Sequence, residues 1–205
     1  MKFTYFYLIS FLISLGCGKQ QNAHLSEVQD FRYQLNLLFA DTERSPLKKS
    51  AIKTFKGLSF FEFNPAFRVE AVLKLTPDAP VFEMKTTTER LPLYKKYAEA
   101  SFVLAGRERR LNLFQLQDPL STGTEAPHLF LPFNDLSNGK STYGGGRYMN
   151  LPIPPAGSTH ITIDFNQSYN PYCAYNEKYS CPIPPVANNL DINILAGIKA
   201  YKKPQ

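Results

Sequence analysis

Apolar side chains in the N-terminal part of the chain recur at helical spacing. The positions that share this spacing are Val28, Phe31, Leu35 and Leu38. They predict an amphipathic helix over 26–40, which Ser26 would begin as the first residue of a capping box. Ser45-Pro46 predicts the start of a shorter helix over 46–53, because proline is favoured in the first turn of a helix.

Beyond Phe55 the pattern is that of strands. Residues 68–75 alternate with a period of two, and further strand candidates lie over 58–63, 81–87, 97–104, 110–116, 129–133, 146–151, 159–165 and 190–198. Ala105-Gly106-Arg107-Glu108 predicts a hairpin turn, and Asn138-Gly139 predicts a second turn. Many short strands predict a mainly β fold, an antiparallel barrel or sandwich of about eight strands with one or two N-terminal helices.

The beginning of the chain has the composition of an export signal. Lys2 precedes a charge-free stretch over 3–15, which is shorter than a membrane span and typical of a signal-peptide core. Gly16-Cys17 ends this stretch and is similar to a bacterial lipobox. We therefore expect a signal peptide over 1–16 and acylation of Cys17, with palmitate for example. An uncleaved anchor and an ordinary secretory signal remain alternatives.

Acylation at Cys17 would determine both the location and one partner of the protein. The lipid would anchor it to a membrane of the bacterial cell envelope, facing the periplasm or the exterior. Residues 17–25 would form a polar tether, and residues 26–205 would form a single β-rich domain.

The charge of the chain argues against a nucleic-acid partner. It carries 23 Lys and Arg against 17 Asp and Glu, a formal net charge of +6, and the basic residues fall in short scattered groups. A nucleic-acid-binding domain needs a denser basic face. With 43% hydrophobic and 20% charged residues, the 205-residue chain is also not typical of a disordered protein.

The region 132–185 is unusually rich in tyrosine. Six of the twelve tyrosines fall between Tyr143 and Tyr179. A triple glycine over 144–146 frees the backbone just before Arg147. It indicates either a bulge or bend in a strand, or close approach of the backbone to a bound group.

Arg147 and Asp164 are the natural ion pair of this region, since a guanidinium and a carboxylate can bond in a planar, two-point arrangement. We expect them at the mouth of a pocket lined by Tyr148 and Tyr169, where Arg147 would bind a carboxylate or phosphate of a ligand. Alternatively, the pair only pins a proline-rich loop to the sheet, and the asparagines of the region only cap turns. The candidate ligand-binding residues are Arg147, Tyr148, Asp164, Asn166, Tyr169, Asn170 and Tyr175.

Cys173 and Cys181 remain as an even pair once Cys17 is acylated. In an exported protein, such a pair favours a disulfide. Zinc is less favoured because CxxC spacing and a histidine pair at ligand spacing are missing, and a reactive thiol would need a basic partner. The sequence therefore predicts no metal and no cofactor.

Three strings in this order resemble a known family: TYGGGRY, DFNxxYNPYCAYxxxYSCPxPP, and N-x-L-x-x-x-I-x-A-G. The family is an uncharacterised, mainly bacterial one, catalogued as a domain of unknown function, number sixteen-eighty-four. The resemblance spans roughly residues 54–200 and implies no activity. The chain departs from it at Asp135-Leu136-Ser137, where Asp-x-Thr is usual, and at Ile198-Lys199, where Gly followed by Glu is usual. The family also includes members with the same cysteine pair and no export signal, which counts against a purely structural disulfide.

These observations predict an envelope lipoprotein that binds a small polar or anionic molecule in a Tyr/Arg/Asp cleft. One alternative is a hydrolase that uses Asp164 or a cysteine, and another is a structural lipoprotein that binds a partner protein. The chain contains no GxSxG, HExxH, Walker or dinucleotide motif. Whether it is an enzyme remains open at this point.

Overall fold

The computed structural model describes the backbone over residues 6–117 and 127–202, and side chains from residue 20 onward within these ranges. The beginning of the predicted signal peptide and the side chain of Cys17 lie outside the described part. Within it, no helix combines the length and apolar character needed to cross a membrane.

Helix α1 spans Phe6–Ala40. Its predicted apolar face is confirmed, since Val28 is buried and the other three positions are partly buried. The predicted end near residue 40 is also confirmed, but the predicted start at Ser26 is wrong. No proline interrupts the residues before Ser26, so the helix continues through the capping-box pattern and through residues 17–25.

Helix α2 spans only Lys49–Ile52, which is shorter than the predicted 46–53. Ser45 does not cap it. The Ser45 hydroxyl instead donates to the carbonyl of Phe39 at 2.7 Å and accepts from the backbone N–H of Leu47 at 3.2 Å. These two bonds fix the turn that follows α1.

Seven strands form one antiparallel sheet that curls into a half-barrel, which confirms the predicted mainly β class. Their order across the sheet is β6-β5-β4-β3-β1-β7, and β2 pairs with β3. The strands are β1 Arg68–Leu75, β2 Val81–Glu83, β3 Leu93–Leu104, β4 Arg107–Leu116, β5 His128–Phe133, β6 Arg147–Pro152 and β7 His160–Asp164. Strands β6 and β7, far apart in the sheet order, are therefore its two edges.

The predicted period of two along β1 is confirmed by its alternating burial. The hairpin between β3 and β4 is confirmed as well, because Leu104 pairs with Arg107 across a two-residue turn. Ala105 and Gly106 both have positive φ there, 51° and 73°, as a tight primed turn requires.

Two predicted strands, 58–63 and 190–198, are extended segments without a place in the sheet. A single bridge from Phe60 to Ile198 pairs the two segments with each other. The segment 190–198 is held by scattered backbone hydrogen bonds to loops and by side chains, as described below.

Asn188 joins β4 to β5, whose strand pairing is confined to Phe114 and Phe130. Its fully buried side chain accepts from the N–H of Asn112 at 2.8 Å and donates to the Asn112 carbonyl at 2.9 Å. It also donates to the Pro132 carbonyl at 2.7 Å. One side chain thus replaces ladder hydrogen bonds where the two strands separate.

Candidate functional site

Arg147 lies at the start of β6 with no exposed surface, and its partner is Asp135 rather than Asp164. The Arg147 Nη2 atom lies 2.8 Å from Oδ2 of Asp135, and the guanidinium also donates to the carbonyls of Ile194 at 2.8 Å and Ala196 at 2.5 Å. Burial lowers the pKa of the guanidinium, while Asp135 opposes that shift. The predicted Arg147–Asp164 pair is therefore wrong.

The reason for this error is the path of the C-terminal segment. Within residues 190–198, the carbonyls of Ile194, Ala196 and Ile198 have no partner in a strand, and Arg147 is the donor that reaches them. The other Asp135 oxygen accepts from the N–H groups of Ser137 at 2.8 Å and Ile194 at 3.2 Å. Arg147 and Asp135 therefore fasten a loop and the C-terminal segment to β6.

The triple glycine serves this packing, in agreement with the predicted bend. Gly146 has φ +86°, and a Cβ there would lie 2.6 Å from Asn134 Oδ1 and 2.7 Å from the Phe133 carbonyl oxygen. Only glycine allows the chain to pass these atoms and place Arg147 inward. The close approach is to the protein's own backbone.

Asp164 ends β7 and is also buried, but in a different set of contacts. Its Oδ2 atom lies 2.7 Å from Nε2 of His24 on α1 and accepts from Gln167 at 3.3 Å. Its Oδ1 atom accepts from the Asn166 backbone N–H at 3.1 Å and side-chain amide at 2.8 Å. Four donors occupy the acceptor capacity of this carboxylate, so it does not present a free oxygen as a general base.

The predicted asparagines are buried and bind backbone. Asn166 exchanges two hydrogen bonds with the backbone of Asn64, at 2.9 and 3.0 Å. Asn170 donates to the Tyr175 hydroxyl at 3.2 Å and to the Lys199 carbonyl at 3.0 Å. Burial raises the pKa of Tyr175.

A cleft of about 470 Å³ lies between α1 and the two edge strands of the sheet. We call it the helix–edge cleft. Its lining residues are Phe31, Leu35, Leu38, Arg68, Met149, Asn150, Leu151, Pro152, Thr162, Asp164, Gln167, Tyr169 and Tyr172. Two of the predicted ligand-binding residues, Asp164 and Tyr169, therefore meet here.

A smaller cleft of about 250 Å³ adjoins the first, since both share Asn150, Tyr169 and Tyr172. We call it the tyrosine cleft; its other lining residues are Tyr148, Pro171, Tyr179, Ser180, Cys181 and Pro182. Tyr148 and Tyr169 lie together as predicted, joined by two backbone hydrogen bonds and with ring centres 6.0 Å apart. The Tyr148 hydroxyl donates to the Pro182 carbonyl, and burial raises its pKa.

The predicted disulfide is not formed: Cys173 and Cys181 are free thiols. The Cys181 sulfur accepts from the backbone N–H of Cys173 at 3.1 Å, and the Tyr143 hydroxyl lies 3.8 Å from the Cys173 sulfur. Hydrogen bonds from Cys181 and Tyr143 lower the pKa of Cys173 to about 7. The bond with Cys173 and burial raise the pKa of Cys181.

Among the described residues, neither thiol bonds to a group suited to remove its proton. Burial, together with Cys173, raises the pKa of Tyr143 to about 12, so that hydroxyl is a donor rather than a base. Over the described ranges, His, Cys, Asp and Glu side chains do not gather in groups of three or more that would hold a metal ion.

Similarity to known proteins assigns the chain to a family. Residues 53–199 match the family described as Protein of unknown function (DUF1684). The chain belongs to this family. It is also similar to the solution NMR structure of an uncharacterized protein from Haloarcula marismortui, with 33% sequence identity over 88% of this chain and 96% of the other, and a TM-score of 0.69. No curated protein matches the chain.

Two of the strings that this chain shares with the DUF1684 family contain residues with a structural role. The TYGGGRY string carries Gly146 and Arg147, and the final string begins at Asn188, which joins β4 to β5. Ile198, at one of the departures from the family pattern, is buried against Phe39 and Tyr175. An apolar residue suits that position in this chain.

Sequence reasoning missed three residues of the site. Asp135 had a signal, because it is a carboxylate only twelve residues before Arg147 and lies at a position where the family pattern also has Asp. Asn150 is the exposed residue between two buried neighbours in β6, and its Oδ1 atom accepts from the Tyr169 hydroxyl at 2.8 Å. His24 had no sequence signal, since 140 residues separate it from Asp164.

Proposed function

We propose that this protein is a lipid-anchored binding protein of the cell envelope, which holds a small, uncharged amphipathic molecule in the helix–edge cleft. The observation that carries the proposal is the cleft of about 470 Å³ between α1 and the sheet edges. This volume lies in the range of small-molecule sites, which are mostly apolar with a few polar groups.

The apolar wall of the cleft suits the body of such a ligand. Phe31, Leu35 and Leu38 supply it from α1, and Met149, Leu151 and Pro152 supply it from β6. Burying an apolar ligand surface here contributes roughly 25 cal/mol per Å² before the costs of association.

The polar part of the lining suits an uncharged head group. The charged lining residues are Arg68 and Asp164. Arg68 already has a partner of opposite charge, and Asp164 already accepts hydrogen bonds. Arg68 Nη1 lies 2.7 Å from Oε2 of Glu27, and Asp164 bonds His24. The remaining polar lining groups include the amides of Asn150 and Gln167 and the hydroxyls of Tyr169 and Thr162, which can both donate and accept hydrogen bonds. Arg147 takes no part, because it is enclosed in the core.

The proposed anchor would keep the cleft close to the membrane. Only seven positions separate Cys17 from His24, which already contacts the sheet through Asp164. That distance is about 10 Å in helical form. A ligand with an apolar body would therefore need to travel only a short distance from the lipid.

The ligand is tested by filling the cleft. We would purify the full chain from membranes, extract bound small molecules and identify them by mass spectrometry, for wild type, Leu35→Trp and Leu37→Trp. Leu35 lines the cleft, whereas Leu37 is exposed on the same helix and is the matched control. We expect an uncharged amphipathic molecule with wild type and Leu37→Trp and its loss with Leu35→Trp. Equal recovery from all three proteins would reject the proposal.

The anchor is tested separately by feeding cells an alkyne fatty acid and comparing wild type with Cys17→Ser. We expect the label only in wild type. Equal labelling of both proteins would show that Cys17 is not acylated and would leave the cleft experiment interpretable.

A further inference from the structure

A third cavity, of about 580 Å³, lies away from both clefts and has a different chemistry. We call it the lysine pocket. It forms where the C-terminal segment passes between residues 57–61 and the turn at 140–141. Its lining residues are Gly57, Leu58, Ser59, Phe61, Lys140, Ser141, Tyr175, Ile198, Lys199, Ala200, Tyr201 and Lys202.

The backbone around the lysine pocket is held by hydrogen bonds on both sides. The N–H of Phe61 donates to the Gly197 carbonyl at 2.9 Å, and the N–H of Lys199 donates to the Ser59 carbonyl at 2.8 Å. The N–H of Ala200 donates to the Ser141 carbonyl at 2.9 Å. The three segments that carry the lining are therefore tied to one another.

The charge of the pocket is positive and unbalanced. Lys140, Lys199 and Lys202 are its charged lining residues, all three are exposed, and none of the ion pairs between described residues involves them. Lys199 Nζ lies 5.1 Å from the centre of the Phe61 ring, another lining residue, which keeps this ammonium at the pocket. Three cations without a carboxylate create a local potential that attracts anions.

Two hydroxyls add neutral donors to the three cations. Ser59 and Ser141 are lining residues of the pocket, and within the described part of the chain neither hydroxyl forms a hydrogen bond to protein. A serine hydroxyl can donate one hydrogen bond to an anion. The helix–edge cleft differs from the lysine pocket, because its charged side chains already have partners.

We infer that the lysine pocket binds a phosphate-bearing group. A phosphate monoester or diphosphate carries more than one negative charge and a phosphodiester carries one, and each has several acceptor oxygens, so such a group can bond several ammonium and hydroxyl donors at once. A single carboxylate would leave most of these donors without a partner. The group belongs either to a soluble phosphate compound or to a phospholipid head group, and the site is independent of the ligand proposed for the helix–edge cleft.

Calorimetric titration of the full chain at low salt tests the site with two probes. Pyrophosphate represents the soluble source. Dihexanoyl-phosphatidylglycerol below its micelle concentration represents the head group. Each is titrated into wild type, Lys140→Gln, Lys199→Gln, Lys202→Gln and the control Lys74→Gln, which removes an exposed lysine on β1.

We expect each pocket variant to weaken the binding of at least one probe by about fivefold, the effect of one charge at close range in water. Lys74→Gln should change it by less than about twofold, because Lys74 lies outside the pocket and the energy between two charges falls with distance in water. The probe that binds more tightly identifies the source of the phosphate. Absence of binding by both probes, or equal effects of Lys74→Gln and the pocket variants, would overturn the inference.

Discussion

Arg147 and Asp135 form an ion pair with an N–O distance of 2.8 Å, in which neither side chain has any exposed surface. The pair does more than neutralise two charges. Arg147 donates to three carbonyls of the segment 190–198, while Asp135 accepts from the backbone of the same segment at Ile194. The two residues therefore decide where the last part of the chain lies.

Removing one partner of this pair is expected to destabilise the fold strongly. Asp135→Asn and Arg147→Met should each lower the free energy of unfolding by about 3–5 kcal/mol, because the remaining charge stays buried without its charged partner. Urea denaturation measures the change. Asp41→Asn, in the surface pair with Arg44, is the control and should cost much less, because water screens that pair. Similar losses for all three variants would contradict the role of burial.

His24 is expected to attach α1 to the sheet. His24→Ala removes the bond to Asp164 and the edge-to-face contact with Phe63, whose ring centre lies 4.7 Å away. The free energy of unfolding should fall by about 1–3 kcal/mol, because a buried carboxylate loses a donor. Amide hydrogen exchange in α1 should also become faster.

The control for this prediction is His160→Ala. His160 is exposed and bonds the neighbouring Thr159 side chain, so its loss should leave exchange in α1 unchanged. Unchanged exchange in His24→Ala would show that the apolar face of the helix is sufficient for docking.

The sequence predicted the sheet well and the candidate site poorly, for a physical reason. Alternation along residues 68–75 is a local property, and so is the turn at Ala105-Gly106, and both were predicted correctly. Segment 190–198 has the same apolar pattern as a strand, but Arg147 rather than a neighbouring strand satisfies the carbonyls of Ile194 and Ala196. A pattern of burial does not reveal which group supplies the hydrogen bonds.

The pairing of charges depends on topology in the same way. Arg147 and Asp164 begin and end the two edge strands, so closeness in the sequence did not make them partners. Asp164 pairs with His24 of α1, and Arg147 pairs with Asp135 of the loop that precedes β6. The proximity of Tyr148 and Tyr169 was predicted correctly. Both residues belong to strings that resemble the family: Tyr148 ends TYGGGRY, and Tyr169 lies in the string that begins at Asp164.

The two thiols are expected to be chemically distinct. Alkylation with iodoacetamide without reductant should modify both Cys173 and Cys181, as peptide mapping by mass spectrometry will show, since neither is in a disulfide. Cys173 should react first. Its rate should rise with pH through about 7 and then level off, because the thiolate is the reactive form.

Cys181 should react slowly at neutral pH, since its pKa is raised and its side chain is buried. The variant Cys173→Ser isolates its rate. Modification that requires prior reduction would indicate a disulfide and contradict the structure.

Asn188 is expected to be as important as a residue of the apolar core. Asn188→Ala leaves the N–H and carbonyl of Asn112 and the carbonyl of Pro132 without partners in a buried site. The free energy of unfolding should fall by about 3 kcal/mol or more, since each unsatisfied buried group costs about 1–3 kcal/mol. Asn189→Ala is the neighbouring control, because Asn189 offers one side-chain acceptor to Asn134 in an exposed contact. Equal melting temperatures for the two variants would show that water replaces the Asn188 side chain.

Two glycines of the same triplet provide the sharpest comparison in the chain. Gly146→Ala introduces a Cβ at φ +86° within 2.7 Å of Asn134, Phe133 and Pro184 atoms, so the chain must shift just before Arg147. Gly144→Ala introduces a Cβ whose nearest atom lies 3.7 Å away, an ordinary contact. We expect Gly146→Ala to lower the free energy of unfolding by more than about 2 kcal/mol, the cost of backbone strain together with the clash. Gly144→Ala should change it by less than about 1 kcal/mol. If both variants melt together with wild type, the triplet does not set the position of Arg147, and the burial of the ion pair must depend on the C-terminal segment alone.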